Sequence, residues 1–507
     1  MNSRQVVILG LGFVIGAFLP SASGCVEENP DHCYNGGGDS YCVNKYGAAK
    51  PFCSDNSCVM PTIDGCMEEE PAGCWYCDGK GSDECSDIAG DGDGDPTGDG
   101  DGDPTGDGDG DGDGDGDGDG DTGPMCTASD ECSVETPLCD GGACVPCGDA
   151  MGVSCPEAYP ATPVCDAGGA CVECTDDDVS ACPAEMPACQ ANVCVPCTEH
   201  DQCPGSACEI AVGTCMPIDR VWYVDNDDDT CSNAGPGSSD APLCDLLVAL
   251  GKIGANEKGT IIVRDTPGNT YEESLTIQSG RTVAIVGEGA IERPKWSDGV
   301  ENFALQVNNA TVYLAGVRIE AAVTHGIEVF QGQAWIQRCM VTNNAGGAIS
   351  VASGGSLVVT NSFLGGDVSD TLAVEIANGT VSILYSTIFA GFGGSAALTC
   401  GDGNGSSIRN SLLVSRSAEM ELDCPGIEVS SSALEMAVSD NVMLGDMSTT
   451  WFVPGYNQGD FHLAVNGYPV AVESAASWVM TDPSTDIDGD VRPNTEGAAD
   501  FAGADRL

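Results

Sequence analysis

The chain has 507 residues, a formal net charge of −62 and 30 cysteines. Its length allows two or three domains, and 41% hydrophobic residues are enough to build a core in at least one of them. The negative charge repels nucleic-acid phosphates and anionic lipid headgroups, which argues against both as direct partners. So many cysteines argue against a reducing cytosol and indicate an oxidising compartment.

The N-terminus reads as an export signal. A basic residue precedes an apolar stretch at 6–19 that is too short for a comfortable membrane span. The sequence "ASGC", which ends at Cys25, resembles the lipobox of bacterial lipoproteins, in which this cysteine is cleaved at its own N-terminus and lipidated. The resemblance implies a signal peptide at 1–24, a palmitate-type anchor on Cys25 and an outer-membrane or cell-surface location. Ala22 and Gly24 also suit ordinary secretory cleavage, so plain secretion is the alternative.

Residues 25–90 are predicted to form a small Cys-rich module. After Cys25 this stretch carries eight cysteines and no periodic apolar pattern, so disulfides are expected to hold it together. Zinc is the alternative for the "CWYC" pair, but a second well-spaced Cys/His pair is missing.

Residues 91–123 are predicted to be a disordered Gly-Asp linker. The run has 14 Asp, no basic residue and no side chain able to enter a core, so nothing offsets the entropy of ordering it. Alternating Asp matches the first ligand positions of a calcium loop, but the Glu that closes an EF-hand loop is absent. Low-affinity condensation of cations is the binding expected here.

Residues 124–216 contain four Cys-rich repeats with four cysteines each. Such short units leave little space for an apolar core, so disulfides must hold each one. Four cysteines allow three pairings per unit, and the connectivity stays open. The repeats resemble those of bacterial surface lipoproteins, which implies stalks or interaction modules. The cysteines are Cys126, Cys132, Cys139 and Cys144; Cys147, Cys155, Cys165 and Cys171; Cys174, Cys182, Cys189 and Cys194; and Cys197, Cys203, Cys208 and Cys215.

From 217 to 507 cysteine becomes rare, and short alternating strands recur between Gly/Asn turns. The strands repeat in steps of 22 to 25 residues, which predicts coils of a β-solenoid that stack on their neighbours. A helical repeat would need apolar residues at i, i+3 and i+4 instead. Three apolar columns keep this register: Leu314, Ile336, Val359, Ile383 and Ile408; Ile319, Val341, Leu364, Ile388 and Leu413; and Leu305, Ile327, Ile349, Val374, Leu398 and Leu422.

Both ends of this region carry family-like segments. Tyr223-Val224, an Asp/Gly-rich loop, Pro242 and a helix near Leu243–Ile253 resemble the opening of secreted right-handed parallel β-helix proteins of the pectin lyase-like superfamily. "DFHLAVNGYPVAV" and "DIDGDVRPNTEGAADFAGAD" resemble the closing motifs of the same family. The resemblance implies an all-β chain, with a C-terminal right-handed parallel β-helix at 217–507 after the disulfide-rich modules and the linker. It leaves the activity open, because a fold does not fix a function.

Four cysteines of this domain are expected to pair. Cys231 and Cys244 flank the Asp/Gly-rich loop. Cys400 and Cys424 occupy the same inward column on adjacent coils, within disulfide reach, although two stacked reduced thiols would also fit there. Cys339 is then left as a buried free thiol.

The candidate ligand face consists of outward side chains. Tyr313 and Trp335 lie in one column on successive coils and could stack on sugar rings, although aromatic residues on strands are often only structural. Glu328, Glu375 and Asp423 lie in the outward column of the second strand of each repeat. Glu328 and Glu375 are two coils apart, about 10 Å, which is slightly beyond the carboxylate separation of an inverting glycosidase, and a solvated polar face is the alternative.

One metal site is predicted, at the C-terminal end. Asp486, Asp488 and Asp490 have the alternate spacing of hard oxygen ligands for Ca²⁺, and capping the end of the solenoid is the alternative role. No other cofactor is expected.

The sequence therefore predicts a lipid-anchored surface protein whose β-helix binds an extracellular glycan or a surface protein without catalysis. No nucleophile elbow, phosphate loop or zinc signature is found in the sequence. The alternative is an extracellular polysaccharide lyase or glycoside hydrolase that acts on acidic polysaccharide. A lyase needs acidic residues beside a basic one, and neither Arg338 nor Arg409 shares a column with an acidic cluster.

Overall fold

The computed structural model describes residues 126–507 except 176, 265–268, 289–292, 300, 367–370, 393–395 and 417–420. It also describes two short strands, Phe52–Cys53 and Cys66–Met67, which pair antiparallel. These two strands belong to a different compact unit from residues 126–507. The signal peptide, Cys25, the linker and the rest of the N-terminal module lie outside the described residues.

Each of the four repeats is a small hairpin held by two disulfides. The first cysteine pairs with the third and the second with the fourth, as in Cys126–Cys139 and Cys132–Cys144. The same pattern recurs in the other three units. The helices of this region are the short α-helix Cys155–Ala158 and the 3-10 turns Ser129–Glu131 and His200–Gln202. The paired strands are Leu138–Asp140 with Ala143–Val145, Val164–Cys165 with Cys171–Val172, Ala188–Gln190 with Val193–Val195, and Cys208–Glu209 with Thr214–Cys215.

The rest of the chain winds into a parallel β-helix with three sheets, as the sequence predicts. Among the described residues, the first sheet has nine strands: Val221–Val224, Lys258–Arg264, Thr282–Glu288, Thr311–Ala315, Gln333–Gln337, Gly355–Thr360, Gly379–Leu384, Ser407–Arg409 and Glu428–Ser430. The second has nine: Tyr271–Glu272, Lys295–Ser297, Arg318–Ile319, Met340–Thr342, Phe363–Gly365, Thr387–Ala390, Leu412–Ser415, Ala433–Leu434 and Val442–Met443. The third has seven: Leu275–Gln278, Leu305–Asn308, His325–Phe330, Gly347–Ala352, Val374–Ile376, Leu398–Cys400 and Leu422–Asp423.

The strand register matches all three apolar columns of the sequence. Leu314 pairs with Ile336 in the first sheet, and Ile327 pairs with Ile349 in the third. The columns face inward and form one continuous core along the solenoid. Because each inward side chain packs on the equivalent residue of the next coil, the period of the sequence translates directly into the stacking of the strands.

A left-handed residue turns each coil from the first sheet into the second. This position holds Gly316, Arg338, Asn361, Tyr385 or Asn410 on successive coils, all at positive φ. The next position begins a buried ladder in which each backbone N–H donates to a hydroxyl of the coil above, as the Ser362 N–H does to Ser386 Oγ. Its first member is Cys339, a buried free thiol whose pKa burial raises to about 11. The ladder satisfies backbone donors at a corner where the sheet hydrogen bonds are interrupted.

The N-terminal end of the solenoid is closed by the helix Leu246–Gly251, which lies within the predicted helical segment. Leu246, Ala249 and Leu250 are buried against the first coils. Both expected disulfides of this domain are present. Cys231 and Cys244 join across the loop at a Cα–Cα distance of 5.2 Å, and Cys400 and Cys424 join adjacent coils at 4.5 Å.

The C-terminal segment folds back over the outer face of the second sheet. The Phe461 ring stacks on Phe389 at 4.7 Å between centroids, and Trp451 and Trp478 belong to the same buried cluster. Arg492 is fully buried in this segment, 3.1 Å from Asp500 and over the Tyr385 ring. The segment contains the 3-10 turns Thr449–Trp451, Tyr456–Gln458 and Val470–Ser474 and the antiparallel pair Ala476–Ser477 and Ala499–Asp500.

None of the helices in the described part of the chain is long and apolar enough to cross a membrane.

Candidate ligand-binding surfaces

The aromatic pair on the first sheet is covered by the fourth Cys-rich repeat. Tyr313 and Trp335 do stack in one outward column, with ring centroids 5.0 Å apart. However, Tyr313 is only 1% exposed and packs in one cluster with Ala207 of the fourth repeat and with Met216, the residue directly after it. Tyr313 is therefore covered and unavailable to a ligand, whereas Trp335 beside it is partly exposed and its role in a ligand face stays a prediction. They are the surface on which the fourth repeat docks.

Polar contacts extend the same docking surface. The Arg338 guanidinium pairs with Glu199 of the fourth repeat and lies 4.0 Å from Asp201. The neighbouring Gln337 amide donates to the Thr198 carbonyl at 3.0 Å. These contacts join the repeat to the edge of the first sheet.

Both arginines considered for a lyase base are engaged in ion pairs. Arg338 pairs with Glu199, and Arg409 donates to Asp482 at 2.9 Å from its Nη1 atom. The Asp482 side chain is fully buried, so this second pair is fixed within the C-terminal segment. Neither arginine lies on the third sheet, where the outward carboxylates are.

The third sheet presents a column of polar side chains. Its outward positions stack in register from strand to strand, and no hydrophobic cluster formed by the described residues covers them. Most members are partly exposed, Ser350 is nearly buried and Asp423 is exposed. The column is Thr276, Gln306, Glu328, Ser350, Glu375, Thr399 and Asp423.

A histidine lies among the carboxylates of this column. His325 Nε2 is 3.7 Å from the Glu375 carboxylate, and burial lowers the pKa of this histidine below its usual value. Glu328 accepts a hydrogen bond from the Gln306 amide at 3.0 Å, and the Thr324 hydroxyl lies 3.4 Å from its other oxygen. The group offers hydrogen-bond donors and acceptors side by side, which suits recognition of hydroxyl groups.

The three C-terminal aspartates do not point at one shared site. One oxygen of the buried Asp486 accepts the backbone N–H groups of Asp488, Gly489 and Asp490, and the other accepts that of Arg506. This carboxylate therefore stabilises its own turn by accepting backbone N–H groups. Among the described residues, the group of ligand spacing that includes carboxylates is His462, Asp488 and Asp505, and it contains neither Asp486 nor Asp490.

Asp488 instead belongs to a cluster around His462. Its carboxylate lies 2.5 Å from His462 Nε2, while Asp460 contacts Nδ1 of the same ring. These two carboxylates raise the pKa of His462 to about 10 against the opposing effect of burial. Burial raises the pKa of the neighbouring Asp505 to about 7. The three side chains therefore form an ion-pair network within the C-terminal segment, with the charged imidazolium between two carboxylates.

A buried carboxyl pair was missed by the sequence reasoning. Glu421 is 2% exposed and Glu435 6% exposed, and burial raises the pKa of both. Glu435 accepts backbone N–H groups from Ser415 at 3.2 Å and Met447 at 2.7 Å. The two glutamates are 14 residues apart, and only the winding of the last coils brings them together, so no sequence motif marks them.

Comparison with known proteins adds little about activity. A family of unknown function (DUF8331) matches residues 113–221, which include all four Cys-rich repeats. No curated protein matches the chain. Among solved structures, the crystal structure of pectate lyase Pel9A is similar at 12% identity and a TM-score of 0.23, covering 56% of this chain and 96% of that one. At that TM-score the similarity has no bearing on function, and the fold is established by the strand register instead.

Proposed function

We propose that this protein is anchored at the cell surface and that the outer face of its third sheet binds a linear neutral glycan without catalysis. The proposal depends on the difference between the three outer faces. The fourth repeat occupies part of the first face, and the C-terminal segment occupies the second. Within the described residues, no hydrophobic cluster covers the polar column of the third face, and most of its side chains are partly exposed.

The shape and chemistry of this face favour a linear, hydroxyl-rich polymer. Seven outward positions spaced by the strand separation run for about 29 Å along the solenoid axis. Amide, hydroxyl and carboxylate groups alternate along them, and each can hydrogen-bond sugar hydroxyls. A compact ligand would use only a few of these positions.

The charge of the face favours a neutral polymer over an acidic one. Glu328, Glu375 and Asp423 are acidic, and no Lys or Arg shares their column. An acidic polysaccharide would be repelled, and the arginines considered for lyase chemistry are paired elsewhere. Binding without cleavage is therefore favoured over the lyase or hydrolase alternative.

Anchoring at the surface is the second part of the proposal. It is supported by the "ASGC" sequence at Cys25 and by the disulfides of the repeats, which require an oxidising compartment. In this arrangement the acyl chain on Cys25 holds the protein at the outer membrane.

A glycan-binding experiment tests the third-sheet face. The purified full chain is screened against neutral and uronate polysaccharides, together with the double variant Glu328→Gln/Glu375→Gln. We expect the double variant to bind the neutral glycan at least about tenfold more weakly, because two charge-assisted hydrogen bonds worth ~1.5–3 kcal/mol each are weakened. The matched control is Glu428→Gln, an exposed glutamate on the first sheet, which should bind as the parent chain does.

Three results would contradict this proposal in whole or in part. Equal affinity of the double variant and the parent chain for the glycan would show that the glycan does not bind to the third sheet. Release of shortened products from a uronate polymer, lost in the double variant, would establish the enzymatic alternative. Capture of a protein ligand in place of any glycan would leave the face but change the ligand class.

Metabolic labelling tests the anchor. Cells that express the full chain are fed an alkyne analogue of palmitate, and we expect the parent chain to be labelled and Cys25→Ala to be unlabelled. Equal labelling of both would exclude Cys25 as the lipidated residue. Absence of label from both, with protein in the medium, would support plain secretion.

A further inference from the structure

The C-terminal segment brings together three side chains of the types that bind metal ions. One ring nitrogen of His462 and one carboxylate oxygen each of Asp488 and Asp505 lie within 4.8 Å of one another. Among the described residues, every other group with such spacing consists of cysteines that are already joined in disulfides. Asp505 is buried, His462 is partly buried and Asp488 is exposed, so the group is open to ions from solvent on the Asp488 side.

The His462 ring is held as a metal-binding histidine is held. Asp460 contacts Nδ1 and accepts the His462 backbone N–H at 3.2 Å, and the buried Phe363 ring packs edge-on against the imidazole. A histidine that binds a metal almost always donates its other ring N–H to a carboxylate, a backbone carbonyl or water, which fixes the tautomer and the ring orientation. Because Asp460 engages Nδ1, Nε2 is the nitrogen available to an ion, and it lies 2.5 Å from the Asp488 carboxylate.

Asp505 provides a second, independent observation. This residue is 5% exposed, and its Oδ2 atom accepts the Leu463 backbone N–H at 2.6 Å. No hydrogen-bond donor of the described residues contacts its other oxygen. Two of the charged groups that act on Asp505, Asp486 and Asp488, are also negative. A buried carboxylate oxygen without a donor carries a desolvation cost that a bound cation would remove.

The donor types select the metal. One imidazole nitrogen together with two carboxylate oxygens is a set that suits Zn²⁺, whereas Ca²⁺ and Mg²⁺ prefer oxygen ligands alone. Zinc with three protein ligands keeps a water molecule as its fourth ligand. Arg293 does not compete for the ligand atom, because it contacts the other oxygen of Asp488, at 3.2 Å.

Zinc binding requires one small rearrangement. The 2.5 Å between Nε2 and the Asp488 carboxylate fits a shared proton, whereas two ligand atoms of one zinc ion, each bound at about 2.0–2.2 Å, lie roughly 3.3 Å apart. The Asp488 side chain is 41% exposed, so an outward movement of about 1 Å makes this space. The ion then takes the place of the Nε2 proton, which is released to solvent.

We propose that His462 Nε2, Asp488 and Asp505 bind a Zn²⁺ ion and that Asp460 positions the histidine. The ligands come from three separate stretches of the C-terminal segment. The ion therefore fixes the turn that carries Asp488 and the stretch that carries Asp505 to the buried aromatic cluster beside His462. Metal binding stabilises the segment that covers the second sheet, and it is independent of the glycan-binding face proposed above.

The test uses the purified full chain, which is treated with a chelator and then titrated with Zn²⁺. Binding is followed by calorimetry and by the ring ¹⁵N chemical shifts of the four histidines, with a His462→Gln variant to assign the His462 signal. We expect Zn²⁺ to move the His462 Nε2 signal and to raise the melting temperature. Ca²⁺, which the acidic linker also attracts, should leave that signal unchanged. An unchanged His462 signal with Zn²⁺, or the same change with Ca²⁺, would overturn the proposal.

Two variants with the same loss of charge give a matched comparison. Asp488→Asn removes a ligand, whereas Asp490→Asn removes an exposed carboxylate of the same turn that is outside the group. The affinity is taken from the His462 signal, so zinc bound elsewhere in the chain does not contribute. We expect the zinc affinity to fall at least about tenfold in Asp488→Asn and to stay unchanged in Asp490→Asn.

Asp505→Asn is the second ligand variant. Its amide oxygen can still accept the Leu463 N–H, so the fold is kept, and zinc binding should weaken as it does in Asp488→Asn. If both ligand variants bind zinc as tightly as the parent chain, or if Asp490→Asn loses as much affinity as they do, the proposal is wrong.

Discussion

The Cys-rich repeats and the β-helix belong to one chain but are held together by different means. In the fourth repeat, three of the four fully buried members of its cluster are cysteines, and two disulfides join each hairpin. In the β-helix, a continuous apolar core runs through the coils, with Cys400–Cys424 as a disulfide within it. Units too short to bury apolar surface depend on covalent links, whereas stacked coils gain core with every repeat.

The comparison also explains where the two regions meet. The outer side chains of a disulfide-linked hairpin are not used in a core of its own. In the fourth repeat they pack on the aromatic pair Tyr313 and Trp335 of the first sheet. The Lys258–Glu209 and Arg338–Glu199 ion pairs lie around this apolar contact. The repeat thereby acquires through docking an apolar contact that it cannot build internally.

Chemical reduction of the disulfides should destabilise the Cys-rich repeats far more than the β-helix. Full-length protein treated with a phosphine reductant at neutral pH should become sensitive to protease within residues 126–196, while residues 258–434 stay protected. Loss of each native disulfide in such small units costs about 2–5 kcal/mol, and each of the first three repeats has two. Mass mapping of the cleavage sites is the measurement. Digestion of the solenoid at the same reductant concentration would contradict the distinction.

A cavity in the apolar core should weaken the β-helix in turn. Ile349 is fully buried between Ile327 and Val374 on the neighbouring coils of the third sheet. We expect Ile349→Ala to lower the free energy of unfolding by about 2–5 kcal/mol, because it removes apolar contacts and leaves a cavity. Chemical denaturation under oxidising conditions measures the change. Ile218→Ala is the control, because that side chain is 72% exposed and its loss should cost no more than about 0.5 kcal/mol.

The same contrast explains which features could be predicted from the sequence. Apolar columns such as Leu305, Ile327 and Ile349 could be predicted from the sequence. Equivalent inward positions have the same buried environment in every coil, so they select the same kind of side chain. The pair Cys400 and Cys424 followed from the same register. Disulfide pairing within the repeats could not be read, since three connectivities satisfy any set of four cysteines.

The repeat period of the sequence could not predict contacts between segments that are distant in the chain. Tyr313 and Trp335 do face outward, but the surface that covers them comes from about 100 residues earlier in the chain. The group around His462 depends equally on folding of the C-terminal segment. The alternating aspartates suggested a metal site, but Asp486 binds the backbone of its own turn, because a buried carboxylate close to several N–H groups satisfies them first.

The last prediction concerns the pH dependence that the buried carboxyl pair near the end of the solenoid gives to stability. Burial and the neighbouring Glu421 raise the pKa of Glu435 above the usual 4.5, with Asp446 also near the pair. A carboxyl whose folded-state pKa is raised contributes stability that is fully present below about pH 4.5 and is lost as the pH rises through the raised value. The wild-type protein should therefore lose stability between pH 5 and 9 at this site, by about 1.4 kcal/mol for each pKa unit of the shift.

Glu435→Gln isolates this contribution. The amide keeps an acceptor for one of the Ser415 and Met447 N–H groups but cannot ionise, so the variant carries a constant penalty and a weaker dependence on pH. The melting temperature measured from pH 4.5 to 9 should fall less steeply in the variant than in wild type. Glu428→Gln, at an exposed position on the first sheet, should follow the wild-type curve. Parallel curves for Glu435→Gln and wild type would show that the ion-pair network around His462, or another group, governs the alkaline loss instead.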